Sequence, residues 1–376
     1  MTNHMITEKE VQSAITMFWM GSLIVIGVNQ DAKQDTWIPI LFAFIMFLPM
    51  IWLYIRLTQL YPRMNLFEIL FQIFGKVFGR IFSLIYILFA IHLGSMVLQI
   101  FAKYIHILNM PETPEIVIVS LISFVCIYCA RSGPEGIGRI SKFTWPILTA
   151  SIVITCIIAM KDMNLNYLKP VMNTDFKVLL IGGYSMCALP LGESFLCFSL
   201  FSSLSPKVKP QKIFMKPLIY TTLLVLLVNL RNILILGIPS AIMFFFPSYQ
   251  AVSVVSLGEF FTRFEVLIGM NVVLAGAIKI CICLYTSSLG LVKVLNITDQ
   301  KSLVVPCCLL MITLSGMIVS FTGEDSDWIR VYPIYTIPVE IILPIITLIG
   351  AEIQTKLKSG GSSKSKSPKG ENEPIS

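Results

Sequence analysis

Residues 181–200 read IGGYSMCALPLGESFLCFSL, an apolar stretch of membrane-crossing length that cannot run as one regular helix. Pro190 removes a backbone donor and its ring crowds the preceding turn. Gly182, Gly183 and Gly192 let the backbone leave helical geometry at little steric cost. Glu193 then places a carboxylate inside a segment otherwise bare of charge. An ionisable group at mid-membrane costs about 2.5–3.5 kcal/mol on insertion scales, so it calls for a partner or an aqueous cavity.

The rest of the chain agrees that this stretch lies in lipid. Of 376 residues, 56% are hydrophobic and 13% charged, with a mean hydropathy of +0.81; a soluble domain carries roughly 25% charged residues. The apolar residues come in blocks of about 20, the length that crosses a hydrocarbon core as a helix. In lipid each backbone amide must be satisfied within its own segment, so the blocks are expected to be helical. The short alternating segments of an outer-membrane barrel are absent. About ten spans are expected, near residues 11–29, 37–60, 81–105, 115–131, 143–160, 178–200, 216–238, 264–288, 302–321 and 333–354. They form one transmembrane unit over 1–355, followed by a Ser/Lys/Pro-rich tail, 356–376, expected to be disordered.

Several function classes fall away. No HExxH lies in a span, and no serine–histidine spacing or mid-membrane aspartate pair suggests an intramembrane enzyme. The net charge of +7 sits in short loops rather than on a basic face, so no nucleic-acid partner is expected. The nine cysteines all lie in apolar blocks, with Cys126 and Cys129 a lone CxxC. Free cysteine packs as a small hydrophobe, so neither a metal site nor a cofactor is expected. Residues 1–10 are polar and no small-residue cleavage site follows, so no signal peptide is expected.

Basic residues set the expected orientation. Arg63, Lys76 and Arg80, then Arg139 and Lys142, then Lys207, Lys209, Lys212 and Lys216, then Lys293 and Lys301 fall in alternate gaps, and the tail adds more. The positive-inside rule puts these gaps and both termini in the cytoplasm. Residues 239–263, with Ser253, Ser256 and Glu259, are expected to hold a short surface or re-entrant helix acting as an outer lid.

The span-one stretch 19–27, WMGSLIVIG, carries Gly21-Ser22 and Gly27. Taken singly, these glycines suit a packing groove as well as a break, and Pro190 suits a simple kink. Spans one and six are, however, the first members of two five-span halves. Interruptions at corresponding positions are the best sequence pointer to an inverted-repeat transporter with a midplane site. Half-helix N-termini favour a carboxylate, and unwound carbonyls remain for an ammonium or cation, a pairing that suits an amino acid. Lys279, the charge midway along span eight, shares a helix face with Gly276, Cys283 and Thr286. That face is expected to line the cavity and bring Lys279 to Glu193; a purely structural ion pair is the alternative. From span three, Ser95 and Met96 are expected as pocket walls, with His92 and Gln99 hydrogen-bonding between helices. Arg231 is expected to bond carbonyls or snorkel outward, and Arg263 and Glu265 to orient the outer loop.

Local patterns then coincide in order: Met20-Gly21, Asp35-Thr36-Trp37, Tyr61-Pro62, Phe67-Glu68, Gly75-Lys76 with Gly79, Thr113-Pro114, Gly136 and Gly138-Arg139 after Glu135, Tyr167-Leu168-Lys169-Pro170-Val171, Leu191-Gly192-Glu193, Arg263-Phe264-Glu265 and Lys279. Over residues 6 to 355 the chain resembles the endospore germination permease family, the B subunit of nutrient germinant receptors, within the amino acid–polyamine–organocation transporter superfamily. The resemblance implies an all-α, LeuT-like five-plus-five inverted repeat with helices one and six broken, in the inner membrane of the spore. It also implies a small nutrient ligand, commonly an amino acid, and partner A and lipoprotein C subunits, with binding triggering ion release and germination. The family's pocket among spans one, three, six and eight maps here to Gly21, Ser95, Leu191, Gly192, Lys279 and Cys283. With Ser22, Met96 and Glu193 these make up the candidate ligand site. An active amino-acid/cation symporter of the same fold is the competing function.

Overall fold

The first helix starts at a reciprocal cap. Thr7 Oγ1 accepts the Glu10 amide at 3.4 Å and the Glu10 carboxylate accepts the Thr7 amide at 2.9 Å, filling two of the donors that a helix start leaves open. In the computed structural model, which describes residues 5–24, 30–108, 110–244, 246–255, 264–321 and 327–363, this helix α1 (Glu8–Leu23) is buried on every side from Ser13 onward. A helix apolar and buried all round belongs at the centre of a bundle. By contrast α4 (Glu115–Arg131) leaves Leu121 65%, Phe124 75% and Tyr128 73% exposed, a face suited to lipid.

The other helices are α2 (Trp37–Leu60), α3 (Leu66–Leu108), α5 (Gly133–Ala159), α6 (Phe176–Met186), α7 (Pro210–Met243), α8 (Pro247–Ser253), α9 (Glu265–Leu295), α10 (Gln300–Phe321), α11 (Asp327–Tyr335) and α12 (Leu343–Ser363). Eight helical stretches among the described residues are long and apolar enough to cross a membrane. α1 and α4, of 16 and 17 residues, fall short of that length and fill the other two expected positions. Among the described residues the only β pairing is a bridge between Ile6 and Leu204.

Two helices outrun a single crossing and turn at glycine. α3 has 43 residues, and at about 1.5 Å per residue it is far longer than a bilayer core is thick. It bends at Gly75, whose φ of 71° is in the left-handed region that glycine enters freely. Residues 66–74 thus form an arm ahead of span three, started by a second reciprocal cap between Asn65 and Glu68, 3.0 and 2.9 Å. α7 breaks likewise at Gly237, φ 69°.

α9 is the spine of the bundle and packs against α1, α3, α4, α5 and α10. Gly21 sets how near α1 comes: a Cβ there would lie 3.0 Å from Ala275 O and 3.1 Å from Lys279 Cβ. Asp35, ahead of α2, accepts the amides of Met172, Asn173 and Thr174 at 2.8, 2.9 and 3.0 Å, which docks the approach to α6.

Several expectations are revised here. Gly21 and Ser22 stay helical, and α1 ends at Leu23; the glycine is a contact point because its missing Cβ is needed against α9. Gly27 lies outside the described residues. The lid segment contains the short helix α8, with Ser253 in its last turn, while Ser256, Glu259 and Arg263 fall outside the description. α12 continues to Ser363, beyond the expected boundary at 356, and residues 364–376 are not described.

Candidate functional site

Span six is broken where Pro190 requires it. After α6 the chain makes a wide π turn, Cys187–Leu191, in which Leu189 is extended (φ −110°, ψ 110°). It then rewinds tightly as a 3-10 segment, Gly192–Ser203. Tight winding turns Glu193 into the bundle, where it meets Lys279 of α9. Their side chains form an ion pair with both partners 0% exposed.

Both ends of this pair are held by further groups. The Lys279 ammonium donates to Ser22 Oγ of α1 at 2.6 Å and stands 4.9 Å above the Phe18 ring, a geometry in which a ring face adds attraction for a cation. Glu193 Oε1 accepts the Tyr332 phenol of α11 at 2.8 Å. Spans one, six and eight are therefore tied together by a single buried ion pair. Removing one member of such a pair leaves the other charge uncompensated, which costs about 3–5 kcal/mol.

A second carboxylate lies beside the first. The last span is also broken, with a π turn at Pro338–Ile342 between α11 and α12. This turn presents Glu340, 2% exposed, to the same cluster. Glu340 Oε2 accepts Thr336 Oγ1 at 3.0 Å and its Oε1 is 3.3 Å from the Tyr332 hydroxyl. Gly192 makes room for it, since a Cβ there would lie 2.7 Å from Glu340 Oε2. Glu340, Tyr332 and Thr336 were not among the expected site residues. The signal was available: Glu340 is an acid in an apolar span, two residues after Pro338 and seven after Pro333.

The structure gathers Gly21, Ser22, Gly192, Glu193 and Lys279 around one polar knot. Leu191 lies at its edge: its carbonyl accepts the Ser194 hydroxyl, which also takes the Trp19 indole N–H at 2.7 Å. Gly192 O accepts Tyr54 OH at 3.4 Å. The carbonyls of Leu191 and Gly192, just past the extended Leu189, are thus engaged by side-chain donors. Ser95, Met96 and Cys283 make no hydrogen bond to the knot among the described residues. Ser95 Oγ is spent on its own helix at Ile91 O, 2.7 Å, and Met96 Sδ receives Tyr335 OH at 3.7 Å. Cys283 is buried against α3, where a Cβ on Gly94 would come within 3.3 Å of its Cβ. Thr286, on the expected face of α9, does reach span six, bonding Ser199 Oγ at 2.8 Å.

His92 and Gln99 bond between helices, to Tyr335 OH at 2.9 Å and Glu115 Oε2 at 3.0 Å. Arg231 does not snorkel, and the carbonyl it bonds is a side-chain amide. It is 1% exposed and donates to Asn232 Oδ1 and Thr155 Oγ1. Glu265 opens α9 with Oε2 buried and unpartnered; Arg263 is not described.

An all-helical bundle, among the described residues, with breaks in spans six and ten and a buried ion pair at the first break describes a polytopic membrane protein. The spore germination protein family model matches residues 5–322, and the chain belongs to that family. Its relatives in Bacillus subtilis (strain 168) include spore germination protein KB, 25% identical over 90% of this chain and 92% of the relative. Another is the putative spore germination protein YfkT, also 25% identical, over 94% and 99%. Among solved structures it shares the fold of a Na+-coupled sialic acid symporter (TM-score 0.64, 14% identity, 85% of this chain and 74% of that one). It also shares that of MhsT in complex with L-phenylalanine (0.60, 11%, 91% and 98%). Mhp1, a nucleobase-cation-symport transporter, is similar too (0.60, 14%, 90% and 77%). The architecture is the LeuT fold, as the two five-span halves imply.

Proposed function

We propose that this chain is the ligand-sensing B subunit of a spore nutrient receptor, and that the Glu193–Lys279 pair is where an amino acid acts. The observation that carries this reading is a zwitterion's worth of charge, one carboxylate and one ammonium, held together at the break of span six. A free amino acid carries the same two charges. Its ammonium can replace Lys279 at Glu193 while its carboxylate takes the Lys279 ammonium, so that two ion pairs succeed one and no buried charge is stranded. Membership of the spore germination family supports the receptor setting, and the fold is shared with a transporter solved in complex with L-phenylalanine.

The pair is closed to solvent as it stands, so a ligand must favour an arrangement in which it is open. Ligand binding shifts such an equilibrium only by its differential affinity for the two arrangements. Opening would untie spans one, six and eight together, which is a movement that partner A and lipoprotein C subunits could read in the spore inner membrane, with both termini cytoplasmic. Spores carrying the neutral double variant Glu193→Gln/Lys279→Met, with the chain at normal abundance, should lose their response across a panel of L-amino acids. An unchanged response would remove the pair from ligand recognition. The competing reading, an amino-acid/cation symporter, draws on the symporters that share the fold. Radiolabelled amino-acid uptake by the isolated chain in liposomes separates the two: accumulation without partners favours the symporter.

A further inference from the structure

A cavity lies away from the closed knot, beside the C-terminal end of α1. It is a cleft open to solvent on one side, lined by the end of α1, the 3-10 turn Gln30–Asp35, α7 and α8. Its walls are largely aliphatic, from Val225, Val228, Ile238 and Ile242, and its lining holds no carboxylate among the described residues.

The polar groups facing it are donors. Asn229 is 8% exposed and lines the cavity, and its Oδ1 is taken by Thr36 Oγ1 at 2.6 Å, whereas its amide nitrogen has no hydrogen-bond partner among the described residues. A nine-tenths buried amide with open N–H bonds is a group awaiting an acceptor. Lys33 stands at the rim, exposed and without an ion-pair partner among the described residues. Its φ of 48° places it in the left-handed region, sparsely populated by residues other than glycine.

Behind the lining sits an unneutralised positive charge. Asn232 contributes to the wall, bonding Ser248 at 3.0 Å, and its Oδ1 accepts Nε and Nη2 of Arg231 at 3.2 and 2.8 Å. Arg231 has no carboxylate within ion-pair distance among the described residues. A charged residue buried in a span without a counter-ion marks a functional site by default. The Lys33 ammonium and the Asn229 amide line one apolar cavity, with the Arg231 guanidinium bonded behind Asn232.

We propose that this cavity is a second ligand site, taking a small monocarboxylate with a branched apolar body. The carboxylate bonds the Asn229 amide and pairs with Lys33, and the aliphatic body packs on α7. The site is separate from the Glu193–Lys279 knot and does not depend on it.

The test uses the full chain in neutral phosphatidylcholine nanodiscs and three probes of one skeleton: 4-methylpentanoate, 4-methylpentanol and 4-methylpentylamine. Calorimetric titration should show saturable binding of the carboxylate, with the alcohol and amine weaker by about tenfold or more. Lys33→Met, a change at an exposed position that leaves the bundle intact, should weaken the carboxylate by about tenfold. Asn229→Asp, which keeps the Thr36 contact but repels an anion, should abolish it while the chain keeps its elution volume. Equal binding of all three probes, unsaturable uptake, or a carboxylate affinity untouched by Lys33→Met would each overturn the proposal, leaving only partition into lipid. If Asn229→Asp fails to fold, the probe series and Lys33→Met decide the matter.

Discussion

Spans six and ten solve the same problem in different ways. Each breaks at a π turn beside a proline and presents one buried glutamate to the bundle centre. Glu193 has a lysine and a phenol. Among the described residues Glu340 bonds only hydroxyls: Thr336 at 3.0 Å, and Tyr332 at 3.3 Å, whose single proton is better placed for Glu193 at 2.8 Å. Backbone breaks of one kind therefore support two electrostatic arrangements. The difference teaches that the cation, not the break, makes span six the organising element. Lys279 ties span six to two other spans, whereas Glu340 is held by its own break and the nearby turn of α11.

This contrast can be tested by removing its parts in turn. The largest effect should come from Lys279→Met, which strands the buried Glu193 carboxylate at a cost of about 3–5 kcal/mol; the amount of chain eluting as a folded species from detergent should drop sharply. Gly192→Ala should come next. The added methyl meets Glu340 Oε2 at 2.7 Å, an overpacking worth about 1–3 kcal/mol. Combining it with Glu340→Ala should recover part of the loss, and no recovery would mean that the clash is not with Glu340. Glu340→Gln should cost less, about 1.5 kcal/mol or under, because the amide oxygen still accepts from Thr336. A Glu340→Gln loss as large as that of Lys279→Met, read as the thermal denaturation midpoint, would collapse the distinction between the two spans. Tyr332→Phe should be smallest, about 1 kcal/mol, since Glu193 retains its ion pair.

Much of this was legible in the chain because charge and proline are rare in it. Pro190 and the glycines around it marked the break, and Glu193 and Lys279 stood out as lone charges in apolar blocks, so their pairing followed from the cost of leaving either unpaired. Glu340 carries the same kind of signal, an acid after two prolines, but its neighbours Tyr332 and Gly192 meet it only in three dimensions. Gly21 was a different matter. A glycine in a helix can mark unwinding or close packing, and which one holds depends on whether a neighbouring helix needs its missing Cβ, here α9 at Ala275 and Lys279. Spacing along one helix says which residues share a face, but not how two helices are rotated against each other. For that reason Ser95 and Cys283 could be placed on spans three and eight but not excluded from the knot, and the approach of Thr36 to Asn229, 193 positions apart, was beyond reach.

The central claim is that the break in span six is held by a specific buried ion pair. A double-mutant cycle on thermal stability tests it most directly, with Glu193→Gln, Lys279→Met and the combined variant. Coupling of about 2 kcal/mol or more is expected, the neutral pair being more stable than the worse single variant. Single losses that simply add in the combined variant would contradict it, because two residues that do not meet have nothing to restore.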